Sequence, residues 1–393
     1  MGGRSRVAPH VAALPKSGIR KFFDIVAQSR DIVSLGVGEP DFDTPWHISR
    51  AAVTCLEDGG THYTSNLGTP ALRQAIARYL ERRFNARFAW EREILVTVGV
   101  SEAIDLAIRA ICSPGDEVLY HEPCFVSYAP TVRLAHAVPV AVETRAEDEF
   151  RLTVEALERR VTPKTRAVLL NFPCNPTGAT LSRDDMAAIL AFAGKHDLIV
   201  LADEVYSELN YEAEDPPLAS FAGFPEAKDR VVLLNGFSKS WAMTGYRLGY
   251  ACGPADVIDA MMKIHQYGIM SAPTLSQAAG VEAMDRGDAD VARMKREYLR
   301  RRDYLYAALN GMGLKTVMPK GAFYIFPDVR STGLGDEDFA LKLLKEFGVA
   351  CVPGSAFGPS GAGFVRMSYA TSLEKIKQAV ERLGRMLRTS SRG

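Results

Sequence analysis

The chain has 393 residues, 47% of them hydrophobic, and its 47 basic residues balance 47 acidic ones. That length suits one large α/β domain with a second, smaller one, and the zero net charge argues against a nucleic-acid or membrane-surface partner. Six scattered cysteines form no CxxC and keep no zinc-ligand spacing with histidine, so no metal site is expected and a reduced, cytoplasmic chain is.

In chain order, "MGGRSRVAPH" lacks the apolar core of a signal peptide, and no later apolar run reaches membrane-spanning length. Residues 1–14 read as an arm. Residues 15–45, with the Gly- and Pro-rich "LGVGEPDFDTP", read as a segment joining a smaller domain. From 46 to 285, short apolar runs alternate with amphipathic stretches. The runs 94–98 "ILVTV", 117–120 "EVLY", 167–171 "AVLLN", 198–202 "LIVLA" and 231–234 "VVLL" predict buried strands. Between them, "SEAIDLAIRAIC" sets Ala103, Ile104, Ala107, Ile108 and Ile111 on one helical face, and "SRDDMAAILAFAGKH" starts at a cap, Ser182. Alternation of this kind predicts a mostly parallel sheet covered on both faces. From 286 to 393 the pattern is α+β: a long helix in "VARMKREYLRRRDYLYAALNGMG", short strands in "AFYIF", "VACVP" and "FVRMSYA", and a terminal helix in "SLEKIKQAVERLGRML".

Polar residues fall where the predicted strands end. "ILVTV" runs into Gly99-Val100-Ser101 at a helix start, where backbone N–H groups favour an anion. "AVLLN" leads to Asn175 in "FPCNPTG", "LIVLA" to Asp203 with Tyr206 three residues on, and "VVLL" to Ser238 and Lys239. Singly, each has a plain alternative as a cap, a turn or a solvated side chain. In a parallel sheet, however, the ends share one edge and face one crevice. A lysine amine, a carboxylate, a phenol and an anion site suit a cofactor with an aldehyde, a ring nitrogen to keep protonated, a phenolic oxygen and a phosphate. Pyridoxal 5′-phosphate (PLP) has all four.

The ordered set "GEPDFDTP", "YTSNLG", "NFPCNPTGA", "ADEVY", "GFSKSWAMTGYRLGY", "KGAFYIF", "VPGSAFG" and "VRMSYA" resembles the fold type I, class I/II PLP-dependent aminotransferases, in their prokaryotic aspartate/aromatic branch. The resemblance runs from about Pro15 to the terminal helix. It implies that Lys239 holds the cofactor covalently and then shuttles the substrate proton, that Asp203 pairs with the ring nitrogen, and that Tyr206 and Asn175 bond the phenolic oxygen. Ser238, Arg247 and the amides of Val100 and Ser101 would hold the phosphate. Phe125 would stack on the ring, with Val205 against its other face. Arg366 would clamp the substrate α-carboxylate, helped by Gly38 and Asn175. Tyr63 would reach the phosphate of a neighbouring subunit, so the resemblance implies a homodimer with shared sites. It also implies cis bonds before Pro123 and Pro176.

The implied reaction is a ping-pong transfer of an amino group from an L-amino acid to a 2-oxo acid such as 2-oxoglutarate. Members of the branch acting on aspartate or prephenate often carry a lysine at the position of Ser101, to grip a distal carboxylate. Its absence here favours an aromatic donor, with Ile19 or Phe22 of "SGIRKFF" as candidates for an apolar slot. An aspartate, other acidic or diaminopimelate-type specificity is the alternative, and a cysteine-conjugate β-lyase a further one. A transcription regulator built on the same fold would need an attached helix-turn-helix domain, which the little chain before Pro15 disfavours.

Overall fold

The computed structural model describes residues 6–15, 31–212 and 219–390. Ile19 and Phe22 lie outside these. Strand β1 (Val33–Ser34) is two residues long. The next seven strands form one sheet: β2 (Ile94–Thr97), β3 (Glu117–Glu122), β4 (Val138–Glu143), β5 (Thr165–Asn171), β6 (Ile199–Asp203), β7 (Val231–Gly236) and β8 (Gly249–Cys252). Their order is β2-β8-β7-β6-β5-β3-β4, and every pairing is parallel except the two made by β8. The five expected strands are present, with ends shifted by one to two residues. Two strands of this sheet went unrecognised. In β4, "VPVAVE" is a half-exposed edge strand, the place where Pro139 is tolerated. In β8, "GYAC" is only four residues long and begins at a glycine.

Helices cover both faces because their apolar stripes fit the sheet. Gly99–Ile111 buries Ala103, Ile104, Ala107 and Ile108, and leaves Ile111 half-buried. Arg183–Lys195 starts in a full capping box: the Ser182 hydroxyl accepts from the Asp185 N–H, and the Asp185 carboxylate accepts from the Ser182 N–H. Such a cap is worth about 1 kcal/mol. Three buried clusters surround the sheet, two of them on β2 and the Phe237–Trp241 region and on the helix Gly99–Ile111. Among the described residues, no helix is long and apolar enough to cross a membrane.

The later elements build a separate cluster. It gathers β9 (Tyr324–Ile325), β10 (Val349–Ala350), β12 (Val365–Ser368) and the helices Asp288–Gly311, Asp336–Phe347 and Leu373–Ser390, while β11 (Val352–Pro353) pairs with β12 but packs Val352 into the cluster beside β5. The expected joining segment does more than connect. β1 pairs in parallel with β10, Leu35 joins this cluster, and Asp41 takes an ion pair from Arg301 at 2.8 Å. The stretch that carries Gly36 and Gly38 is therefore tied to the later elements and is delivered by them to the sheet edge. β9 and β12 pair antiparallel, which sets Tyr324 opposite Ser368 and two residues from Arg366.

Candidate active site

The C-terminal ends of β5, β6 and β7 open on one cleft of ≈ 350 Å³. It is lined by Gly38, Val100, Ser101, Phe125, Asn175, Asp203, Val205, Tyr206, Ser238, Lys239, Arg247 and Arg366, all of them expected from the sequence. Tyr63 is not among them. It is 83% exposed and lies on a surface of its own chain away from the cleft.

Lys239 is half-buried, and its Nζ donates to the Gly38 carbonyl at 2.8 Å. Its pKa falls to about 8, mainly through burial, with Arg366 and Arg247 pushing the same way and Glu39 and Asp203 opposing. An amine so placed sheds its proton far more readily than a free lysine, half of it being uncharged near pH 8, and is fit to act as nucleophile and base. Asp203 ends β6. Burial pushes its carboxyl up to about 6, against the Tyr128 hydroxyl, which donates to Oδ2 at 2.7 Å, and the Val205 N–H at 3.3 Å. Because burial is the cause, a cation brought beside this carboxylate would restore its charge and be held protonated in return.

Asn171 and Asp203 are register partners across β5 and β6, and the Asn171 side-chain amide donates to the Asp203 carbonyl at 3.0 Å. Its oxygen accepts from the Asn175 N–H at 3.0 Å, so the turn that carries Asn175 hangs on the strand end. The bonds Glu122–Pro123 and Asn175–Pro176 are cis, as expected; Phe172–Pro173 is cis as well, which was not. Arg366, 3% exposed, donates to Asn175 Oδ1 at 2.9 Å and to the Gly36 carbonyl at 2.7 Å. Its Nε is buried with no hydrogen-bond partner among the described residues, a donor left for a bound carboxylate.

Arg247 has φ +49° and turns its guanidinium toward the start of the helix Gly99–Ile111. Gly99 itself has φ +73°, and a Cβ there would stand 2.6 Å from an Arg247 Nη, so glycine is needed for both reasons. A helix N-terminus, an arginine and the Ser238 hydroxyl make an anion cradle.

Sequence reasoning missed several residues. Glu39, Ile104, Asn171, Thr244 and Tyr324 also line the cleft, and Tyr128 stands behind Asp203. Asn171 was within reach, since it closes a predicted strand at the same edge as Asp203. Tyr324 gave no local sign.

The resemblance that these motifs carry is met by the comparisons. The family model for aminotransferase class I and II matches residues 30–383. The aspartate aminotransferase of Pyrococcus abyssi is 47% identical over 95% of this chain and 96% of its own. The aromatic-amino-acid aminotransferase 2 of Thermococcus litoralis is 44% identical over 95% and 96%. The crystal structure of an aromatic aminotransferase from Pyrococcus horikoshii superposes with a TM-score of 0.89 at 46% identity, covering 94% of this chain and 99% of that one. The chain belongs to the class I and II aminotransferases, of PLP fold type I. It is a PLP-dependent enzyme, and the donor set suits the cofactor: an amine with a lowered pKa, a buried acid, phenolic and amide partners, and an anion cradle. When bound, PLP supplies an aldehyde for the amine and a ring that accepts the electron pair of the broken Cα–H bond.

Proposed function

We propose that this aminotransferase takes its amino group from an aromatic L-amino acid and gives it to a 2-oxo acid such as 2-oxoglutarate, as a homodimer. Its own residues divide the work. Lys239 anchors the cofactor and carries the proton from the substrate Cα. Asp203 keeps the ring nitrogen protonated, Tyr206 and Asn175 hold the phenolic oxygen, and Arg366 binds the α-carboxylate. Phe125 and Val205 sandwich the ring, while Ser238, Arg247, Val100, Ser101 and the partner's copy of Tyr63 hold the phosphate. The domain reading that accompanies this is an arm, 1–14, a joining segment, 15–45, a large domain, 46–285, and a small one, 286–393.

The observation that carries the donor is the cleft's cation count. Among the described residues it holds Lys239, Arg247 and Arg366. Each has a task under this scheme, and Ser101 stands where a lysine would grip a distal carboxylate; the same count applies to 2-oxoglutarate, whose place as acceptor rests on the family resemblance and not on this lining. Glu39 adds a negative charge instead, while Ile104 and Phe125 offer apolar wall. Relatives named for aspartate and for aromatic donors lie at 47% and 44% identity, too close to sort the two. Steady-state kinetics with 2-oxoglutarate as acceptor is the test. kcat/KM for phenylalanine or tyrosine should exceed that for aspartate by about tenfold or more, the equivalent of ~1.4 kcal/mol. Equal or better use of aspartate would overturn the donor. Pyruvate and ammonia from cystathionine without any oxo acid would point to β-elimination instead.

A further inference from the structure

Tyr324 sits in β9, which the sequence marks only as a short strand, yet it lines the cleft. Its hydroxyl oxygen is 2.9 Å from that of Tyr206. Its ring lies 4.5 Å from the Arg366 guanidinium, and the two tyrosine rings meet edge-on at 5.8 Å. Gly38 is held clear of it by lacking a Cβ, which would come within 2.6 Å of the Tyr324 hydroxyl. Both tyrosines are buried, so neither hydroxyl has bulk water as an alternative partner. The charged groups acting on this pair are Arg366 from β12 and Asp203 from β6, with Lys239, Glu39 and Arg247 completing the ionisable lining of the cleft.

A phenol has one proton to give. Once Tyr206 directs its own proton to the cofactor's phenolic oxygen, its oxygen becomes an acceptor. Among the described residues, Tyr324 is the hydrogen-bond partner at that oxygen. A donor behind a donor polarises it and strengthens the bond ahead. We infer that Tyr324 is a positioning residue for the transfer reaction: it donates to Tyr206, makes Tyr206 a stronger donor to the cofactor, and supports Arg366 with the same ring. This rests on the roles proposed above for Tyr206 and Arg366.

Tyr324→Phe removes the hydroxyl and keeps the ring over Arg366. In the cofactor-loaded variant, the visible absorbance titration of the cofactor bound at Lys239 should move to higher pH by roughly half a unit. The state with negative charge on the phenolic oxygen loses part of its support, so protonation is favoured. kcat should fall about threefold to tenfold, with KM for the amino donor changed less than about twofold, since the guanidinium and its ring neighbour remain. In a Tyr206→Phe background, the second substitution should move the titration no further. Tyr324→His, which keeps a ring and an N–H donor, should return the midpoint toward the wild-type value and serves if the phenylalanine variant loads poorly. An unmoved titration in loaded Tyr324→Phe would sink the inference, as would an equal shift in both backgrounds. If Tyr206→Phe alone moves nothing, the role of Tyr206 fails, and the inference falls with it.

Discussion

At the scale of single residues, the site works by holding charges where water cannot help them. Lys239 is the clearest case. An ammonium that is ordinarily 10.5 is brought down to about 8, first by burial and then by Arg366 and Arg247. The sign matters for stability as well as chemistry. A lysine with a depressed folded-state pKa contributes stability above its unfolded value and loses it as pH falls through the folded one. For the cofactor-free protein this group therefore costs the fold nothing above 10.5, costs it increasingly as pH falls from 10.5 to about 8, and costs it in full below that. The same shift sets reactivity. Uptake of PLP by cofactor-free protein, followed by absorbance, should accelerate with pH around a midpoint near 8. Glu39 is the largest opposing charge, so Glu39→Gln should lower that midpoint further. A midpoint near 10.5 in the wild type, or a rise in the variant, would contradict this account of the amine.

At the scale of elements, the anion cradle depends on how one strand pair meets one helix. β7 leaves the sheet at Ser238 and Lys239, the chain turns, and Arg247 comes back in the left-handed region just before β8. That return puts its guanidinium against Gly99. Gly99→Ala would need a Cβ both at φ +73° and 2.6 Å from an Arg247 nitrogen. The arginine must move, and the helix start with it. PLP affinity, measured by equilibrium dialysis, should weaken about tenfold or more. Gly115→Ala is the matched control. It has φ +91° with nothing within 4 Å, so it carries backbone strain without touching the cradle. It should lower the unfolding temperature and leave PLP affinity alone. Equal affinity loss in both variants would mean that strain, not the Arg247 contact, is responsible.

These elements also mark what the sequence made legible. Buried runs such as "ILVTV" and "VVLL" announce strands because both their faces are covered, and strand ends in a parallel sheet announce a site. Asp203, Asn175 and Lys239 followed from that rule before any resemblance was invoked. β4 escaped it because an edge strand needs only one covered face, and β8 because "GYAC", unlike the equally short "ILVT" of β2, holds no branched aliphatic side chain. Tyr324 escaped because its place depends on β9 pairing with β12 and on that pair meeting Tyr206 just after β6, a contact between segments more than a hundred residues apart. Tyr128 is a softer miss. It lies three residues beyond Phe125, and only its hydrogen bond to Asp203 distinguishes it from core.

For the whole molecule, the question is whether one chain can complete its own site. Tyr63 is 83% exposed, and the loop carrying it is held in place: the His62 carbonyl accepts from Thr274 and the Met270 carbonyl from Asn66. Trp46, Tyr267, Ile269 and Met270 are also exposed. A held loop that presents apolar side chains to solvent suits an isologous interface between two copies. Under the proposed homodimer, Tyr63 of one copy serves the phosphate of the other, and that can be tested by mixing two defective chains. Lys239→Ala should abolish turnover while keeping cofactor through the phosphate cradle. Tyr63→Ala should keep Lys239 and bind PLP about tenfold more weakly. In a mixed dimer, the site with an intact lysine faces a partner with an intact tyrosine. Reassociating equal amounts should therefore give about one site in four with wild-type affinity and turnover, because half the dimers are mixed and each has one repaired site. At limiting PLP, the activity of the mixture should exceed the sum of the separate chains. If it only equals that sum while sedimentation shows dimers exchanging subunits, Tyr63 does not act across the interface, and each chain holds its phosphate alone.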